Sequence, residues 1–120
     1  MTNFVVGRIK SFKYAIKGMF ILITTEHSIM VQLAAGTAVT ALGFYFEISK
    51  QDWIAQTLTI AIVLCTEGLN SAVEGICDFV HPGHHEKIGK IKDVSAGAVT
   101  FTAIAALVVF FIIYIPYFMA

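Results

Sequence analysis

The chain has 120 residues, 58% of them hydrophobic and 13% charged, with 8 Lys+Arg balanced by 8 Asp+Glu. Soluble domains average roughly 45–50% apolar and about 25% charged residues, so this composition excludes an ordinary soluble domain and indicates a membrane protein of one domain spanning residues 1–120. A formal net charge of zero gives no basis for a nucleic-acid partner.

At the start, Val5, Ile9, Phe12, Ile16, Phe20 and Ile23 recur at helical spacing while Lys10, Lys13 and Lys17 fall on a different face. The pattern predicts an amphipathic helix over about 4–23 lying on the membrane surface, its lysines toward lipid phosphates. Arg8 and these lysines argue against a transmembrane reading of the segment. Charge is mixed through the apolar residues and no small-residue cleavage site follows, so the segment is not expected to be a cleaved signal.

Three spans follow, over about 28–47, 52–79 and 93–118. Ile29 to Phe46 carries no charge, and Gln32 is its one strongly polar residue. The second helical pattern meets no breaker before "HPG" at 81–83, so it runs past the hydrocarbon, whose thickness takes about 20 residues. The third holds no charge from Val94 to Phe118, with Pro116 as an end signal. Trp53, Tyr45, Tyr114 and Tyr117 read as interfacial anchors. Cys65 and Cys77 lack metal-ligand spacing and read as small apolar fillers. Seven of the eight basic residues flank one side of the spans, leaving Lys50 alone on the other. The N-terminus and the "HPGHHEKIGKIKD" loop are therefore expected in the cytoplasm, with the C-terminus outside.

The far end of the second span reads "TEGLNSAVEGICD" (66–78). Relative to Glu67, Asn70, Glu74 and Asp78 fall at about −60°, −20° and +20° on a helix, one polar stripe rising about 16 Å. Ionisable groups at membrane depth are costly and usually face a bundle interior or watery cleft, so the alignment favours a site. The competing reading, helix association through hydrogen bonds, draws on the small pairs Gly68/Ala72 and Ser71/Gly75 beside the stripe. Glu26, just before the first span, and Lys92-Asp93, opening the third, border the same side. Carboxylates with a lysine at this interface suggest Mg²⁺ and a polyphosphate, since Mg²⁺ binds through one or two carboxylates plus substrate phosphates. Neither a Walker motif nor a protein-kinase signature is present.

The run Glu67-x-x-Asn70-Ser71-Ala72-Val73-Glu74-x-x-x-Asp78, followed by Lys92-Asp93-x-x-Ala96-Gly97-Ala98-Val99 and preceded by Glu26, closely resembles the prokaryotic integral-membrane diacylglycerol kinase family, which includes undecaprenol kinases. The resemblance implies an all-α homotrimer of three-span subunits, each with a surface helix, sharing active sites in the bacterial inner membrane. It implies transfer of the ATP γ-phosphoryl group to a lipid hydroxyl. Diacylglycerol, giving phosphatidic acid, is the first expectation and undecaprenol the alternative; these residues do not separate the two. By position, Glu67 looks like the base on the lipid hydroxyl, and Glu26 and Glu74 resemble the metal-binding carboxylates. Asn70 is implied to orient the reacting groups, Lys92 to hold phosphate, and Asp93 and Asp78 to face the nucleotide. The segment "HSIMVQ" after Glu26 departs from relatives that carry an arginine, a histidine or a second carboxylate there.

His81, His84 and His85 read as a solvated loop, with nucleotide contact as the minority reading. A small proton-coupled transporter would need its charge near mid-bilayer, whereas these charges gather on one side. A purely structural oligomer would not need Lys92-Asp93.

Overall fold

The computed structural model describes all 120 residues as four helices: α1 (Thr2–Thr25), α2 (His27–Phe46), α3 (Lys50–Val80) and α4 (Glu86–Phe118). The last three are each long and apolar enough to cross a membrane. At about 1.5 Å per residue, α3 runs about 46 Å, well beyond a hydrocarbon core of about 30 Å. Its C-terminal turns, which carry the carboxylate stripe, are the part that outlasts the apolar run.

Each boundary has a local cause. Glu26 adopts an extended conformation (φ −100°, ψ 108°) and is the only residue between α1 and α2. Its N–H still bonds the Leu22 carbonyl at 3.1 Å, and its carbonyl accepts from the Met30 N–H at 3.1 Å, so the chain turns a corner with little loss of backbone pairing. Glu47 ends α2 in the left-handed region (φ 52°), and the N–H groups of Glu47 and Ile48 turn back onto the Phe44 and Gly43 carbonyls. Ser49 caps α3 by accepting from the Asp52 N–H at 3.1 Å. His85 does the same for α4 through Nδ1, 3.1 Å from the Lys87 nitrogen. α4 therefore starts eight residues before the apolar run: "EKIGKIKD" is helical too, a polar extension where only the hydrocarbon-filling part was expected.

α3 and α4 form the most extensive pairing, α2 lies against α3, and α1 meets the rest through its last turns. The core sits at the α2–α3 turn. Gly43 allows close approach there: a Cβ on it would lie 2.8 Å from Trp53 Cη2 and 3.1 Å from Ile48 Cδ1. Tyr114 is 1% exposed, its hydroxyl 2.5 Å from Gln56 Oε1 and 3.1 Å from the Val39 carbonyl. This corrects the reading of Tyr114 as an interfacial anchor, because its hydroxyl finds partners on α2 and α3 inside the bundle. Tyr117 reaches Asp52 Oδ2 at 3.3 Å. Only 9 of 120 residues are buried, and apolar side chains such as Phe101, Leu107 and Ile112 point outward. Such a surface requires lipid or further protein around it.

Candidate active site at the junction of α1, α2 and α3

Away from that core, α1 bends onto α3. Leu22 covers Gly68, where a Cβ would come within 3.1 Å of Leu22 Cδ1. Gly68, one of the small residues expected to admit another subunit, is thus used by the chain's own α1. The α2/α3 register is fixed by Gly43 beside Trp53 and Gly36 beside Ile60.

Within this junction the stripe is graded. Glu67 and Asn70 are buried, each 8% exposed, whereas Glu74 and Asp78 are exposed and Glu26 is half-buried at the corner. The one-residue corner at Glu26 brings the end of α1 onto α3, where Leu22 meets Gly68, the residue next to the buried Glu67.

Two contacts join residues of this end: the first, within α3, places Asn70 and Glu74 on one face, and the second links α4 to α3. Asn70 Nδ2 donates to Glu74 Oε1 at 3.3 Å, leaving Asn70 Oδ1 buried with no partner. One turn further on, Lys92 Nζ meets Asp78 Oδ1 at 2.5 Å, joining α4 to α3 across the 81–85 turn. Asp93 is exposed and makes no side-chain hydrogen bond. No three His, Cys, Asp or Glu side chains gather as a ready-made metal cage. The oxygen donors Glu67, Asn70, Glu74 and Asp78 are instead spread along the C-terminal turns of α3, with Glu26 at the α1–α2 corner.

In the turn, the His81 and His85 rings meet edge to face with centroids 4.9 Å apart, and His85 is occupied as a helix cap. Sequence reasoning marked Gln32 only as part of the departing segment "HSIMVQ"; its Oε1 is buried and unpaired. The available signal was its place as the one strongly polar residue of the first span.

Comparison with known proteins covers this whole region. The family model described as prokaryotic diacylglycerol kinase matches residues 13–114, which include Glu26, Glu67, Asn70, Glu74, Asp78, Lys92 and Asp93. The chain is 33% identical over 107 residues to the undecaprenol kinase of Bacillus subtilis (strain 168), covering 89% of this chain and 87% of that protein. It is 32% identical over 100 residues to a diacylglycerol kinase of Synechocystis sp., covering 82% of this chain and 57% of that protein. A diacylglycerol kinase of Haemophilus influenzae is 28% identical over 91 residues, with 76% and 77% covered. By the extent of these matches, the chain belongs to the prokaryotic diacylglycerol kinase family of membrane lipid kinases.

Proposed function

We propose that the protein transfers the γ-phosphoryl group of ATP to the hydroxyl of a membrane lipid, at the junction of α1, α2 and α3. The observation that carries this reading is the buried Glu67 carboxylate one turn from the Asn70–Glu74 pair, on a face that opens progressively to solvent. A lipid hydroxyl reaching this depth meets a base, while a nucleotide entering from the solvent end meets Glu74, Asp78 and Lys92. In the transfer, the hydroxyl oxygen bonds to the γ-phosphorus, Glu67 takes its proton, and the bond to the bridging oxygen breaks to release ADP. Phosphoryl transfer asks chiefly for positioning and charge neutralisation, so a small set of side chains suffices.

Mg²⁺ is the metal the family implies, and the donor set fits it: all-oxygen, anionic, with the unpaired Asn70 Oδ1 beside Glu74. Glu74 and Glu26 would hold the ion, which neutralises charge on the phosphates when bound. Lys92, now paired with Asp78, would exchange that partner for phosphate, and Asp93 lies one residue beyond it toward the nucleotide. The lysines of α1 and the Lys87–Lys92 segment support placing this end at the cytoplasmic face of a bacterial inner membrane, where ATP is found. A homotrimer with shared sites belongs to the same proposal: a neighbouring subunit would close the exposed side of Glu74.

Undecaprenol is the favoured acceptor, because the relative of that name aligns with most of both chains. Diacylglycerol is the second reading, supported by the relatives from Synechocystis and Haemophilus. Purified protein given labelled ATP, Mg²⁺ and both lipids in mixed micelles tests the proposal. Label is expected in the lipid fraction, and ATP-independent proton flux with no labelled lipid would favour a transporter instead.

A further inference from the structure

The two glycines beside the carboxylate stripe differ in what they face. A Cβ on Gly75 would meet nothing within 4 Å, whereas one on Gly68 would lie 3.1 and 3.9 Å from Cδ1 and Cδ2 of Leu22. Glycine is less favourable than alanine inside a helix, so Gly68 weakens α3 locally. What it admits within this chain is the Leu22 side chain.

Leu22 stands out on its own helix as well. It is the one side chain of α1 that is not fully exposed, so the seat on Gly68 is where α1 is held against α3. Its carbonyl accepts the Glu26 N–H at 3.1 Å, which ties the seat to the corner one turn later. Beyond the corner, Ile29 is 4% exposed. Both arms of the corner are therefore packed, and Glu26 at the apex stays half-buried. On the α3 side, Gly68 directly follows Glu67 and lies six residues before Glu74. A short mechanical path thus joins the carboxylates of the two elements: Glu26 to Leu22 by a backbone hydrogen bond, and Leu22 to Gly68 by contact.

We propose that Leu22 is a positioning residue for the transfer site: seated on Gly68, it sets where Glu26 stands relative to Glu67 and Glu74. The inference rests on the kinase reading and deepens it. Mg²⁺ takes oxygen ligands at about 2.1 Å in near-ideal octahedral geometry, so carboxylates from separate helices can share it only when the helices are held to about 0.5 Å. A corner of one residue does not supply that precision alone, because rotation about its backbone would swing α1 and Glu26 together. A methyl-bearing side chain in a glycine seat does supply it, since packed contacts resist small displacements.

Exchanging the two side chains tests the role on the whole protein. Gly68→Leu fills the seat and is expected to raise the Mg²⁺ concentration for half-maximal lipid phosphorylation about tenfold or more. Leu22→Ala empties the seat and is expected to raise it about fivefold. The exchange variant Leu22→Ala/Gly68→Leu restores the volume at the contact, and its midpoint is expected within about twofold of wild type. Mn²⁺ binding in the presence of a non-hydrolysable ATP analogue, read by electron paramagnetic resonance, is expected to follow the same order without turnover. A merely structural contact would lower the thermal transition of the single variants and leave both metal midpoints, per folded molecule, at the wild-type value. That result, or an exchange variant no better than Gly68→Leu, would overturn the positioning role. Should Gly68→Leu fail to fold, Leu22→Ala decides: raised midpoints support the role and unchanged ones overturn it. A wild type that transfers label to no lipid would instead overturn the kinase reading, and the Mn²⁺ order would still report on the seat.

Discussion

At one end of α3, Gln56 shares its amide with Tyr114 and the Val39 carbonyl, and Trp53 fills the space that Gly43 leaves. At the other end, Asn70 leaves its amide oxygen unpaired beside an exposed Glu74, and Glu67 is buried without a side-chain hydrogen bond. The same helix thus carries a polar group that is satisfied and one that is not. Polar groups meeting all their partners inside a bundle hold helices in register. Those left unpaired keep a donor or acceptor free, as the proposed site requires. The comparison assigns stability to the Tyr114 end and chemistry to the Glu67 end, and variants at the two ends separate the assignments.

The largest effect is expected from Glu67→Gln. Removing a general base typically costs about 10²–10⁴-fold in rate, and the near-isosteric amide should keep the protein inserted and its thermal transition close to wild type. Activity loss accompanied by an equally large loss of stability would break the comparison.

Next come Glu74→Gln and Glu26→Gln. Each is expected to shift the Mg²⁺ concentration giving half-maximal activity upward by about tenfold or more, read by titrating the metal at fixed ATP. Unchanged titrations in both would remove these carboxylates from the metal.

At the packed end the expected effects are on stability. Gly43→Ala brings a methyl within 2.8 Å of the Trp53 ring edge, and overpacking of this kind costs about 1–3 kcal/mol. Thermal unfolding in detergent should report the loss, with activity per folded molecule little changed. Tyr114→Phe is the mildest, about 1 kcal/mol: the Val39 carbonyl keeps its bond from the Gln56 amide N–H, while Gln56 Oε1 loses its hydroxyl partner.

Much of this division was legible in the residues. The apolar runs located the three spans, and the offsets from Glu67 placed Asn70 and Glu74 on one face, where their side chains meet. Helical periodicity is a local property, so it survives without knowledge of neighbours. The burial of Tyr114 was not legible, because its partners Gln56 and Val39 lie 58 and 75 residues away along the chain. An aromatic near a span end looks the same whether it meets lipid headgroups or a buried amide. The packing of α1 on α3 was hidden for a related reason: it depends on the extended backbone of Glu26 turning Leu22 onto Gly68. The early start of α4 lies in a polar segment, where hydropathy is silent and the cap by His85 decides.

The most direct test of the assignment measures transfer of labelled γ-phosphoryl from ATP to lipid by Glu67→Gln and Tyr114→Phe proteins, purified in parallel and normalised to folded protein. The account predicts labelled lipid at near wild-type rates for Tyr114→Phe and a rate lower by about 10² or more for Glu67→Gln. Equal rates for the two proteins, or a collapse at Tyr114→Phe with Glu67→Gln still active, would contradict it.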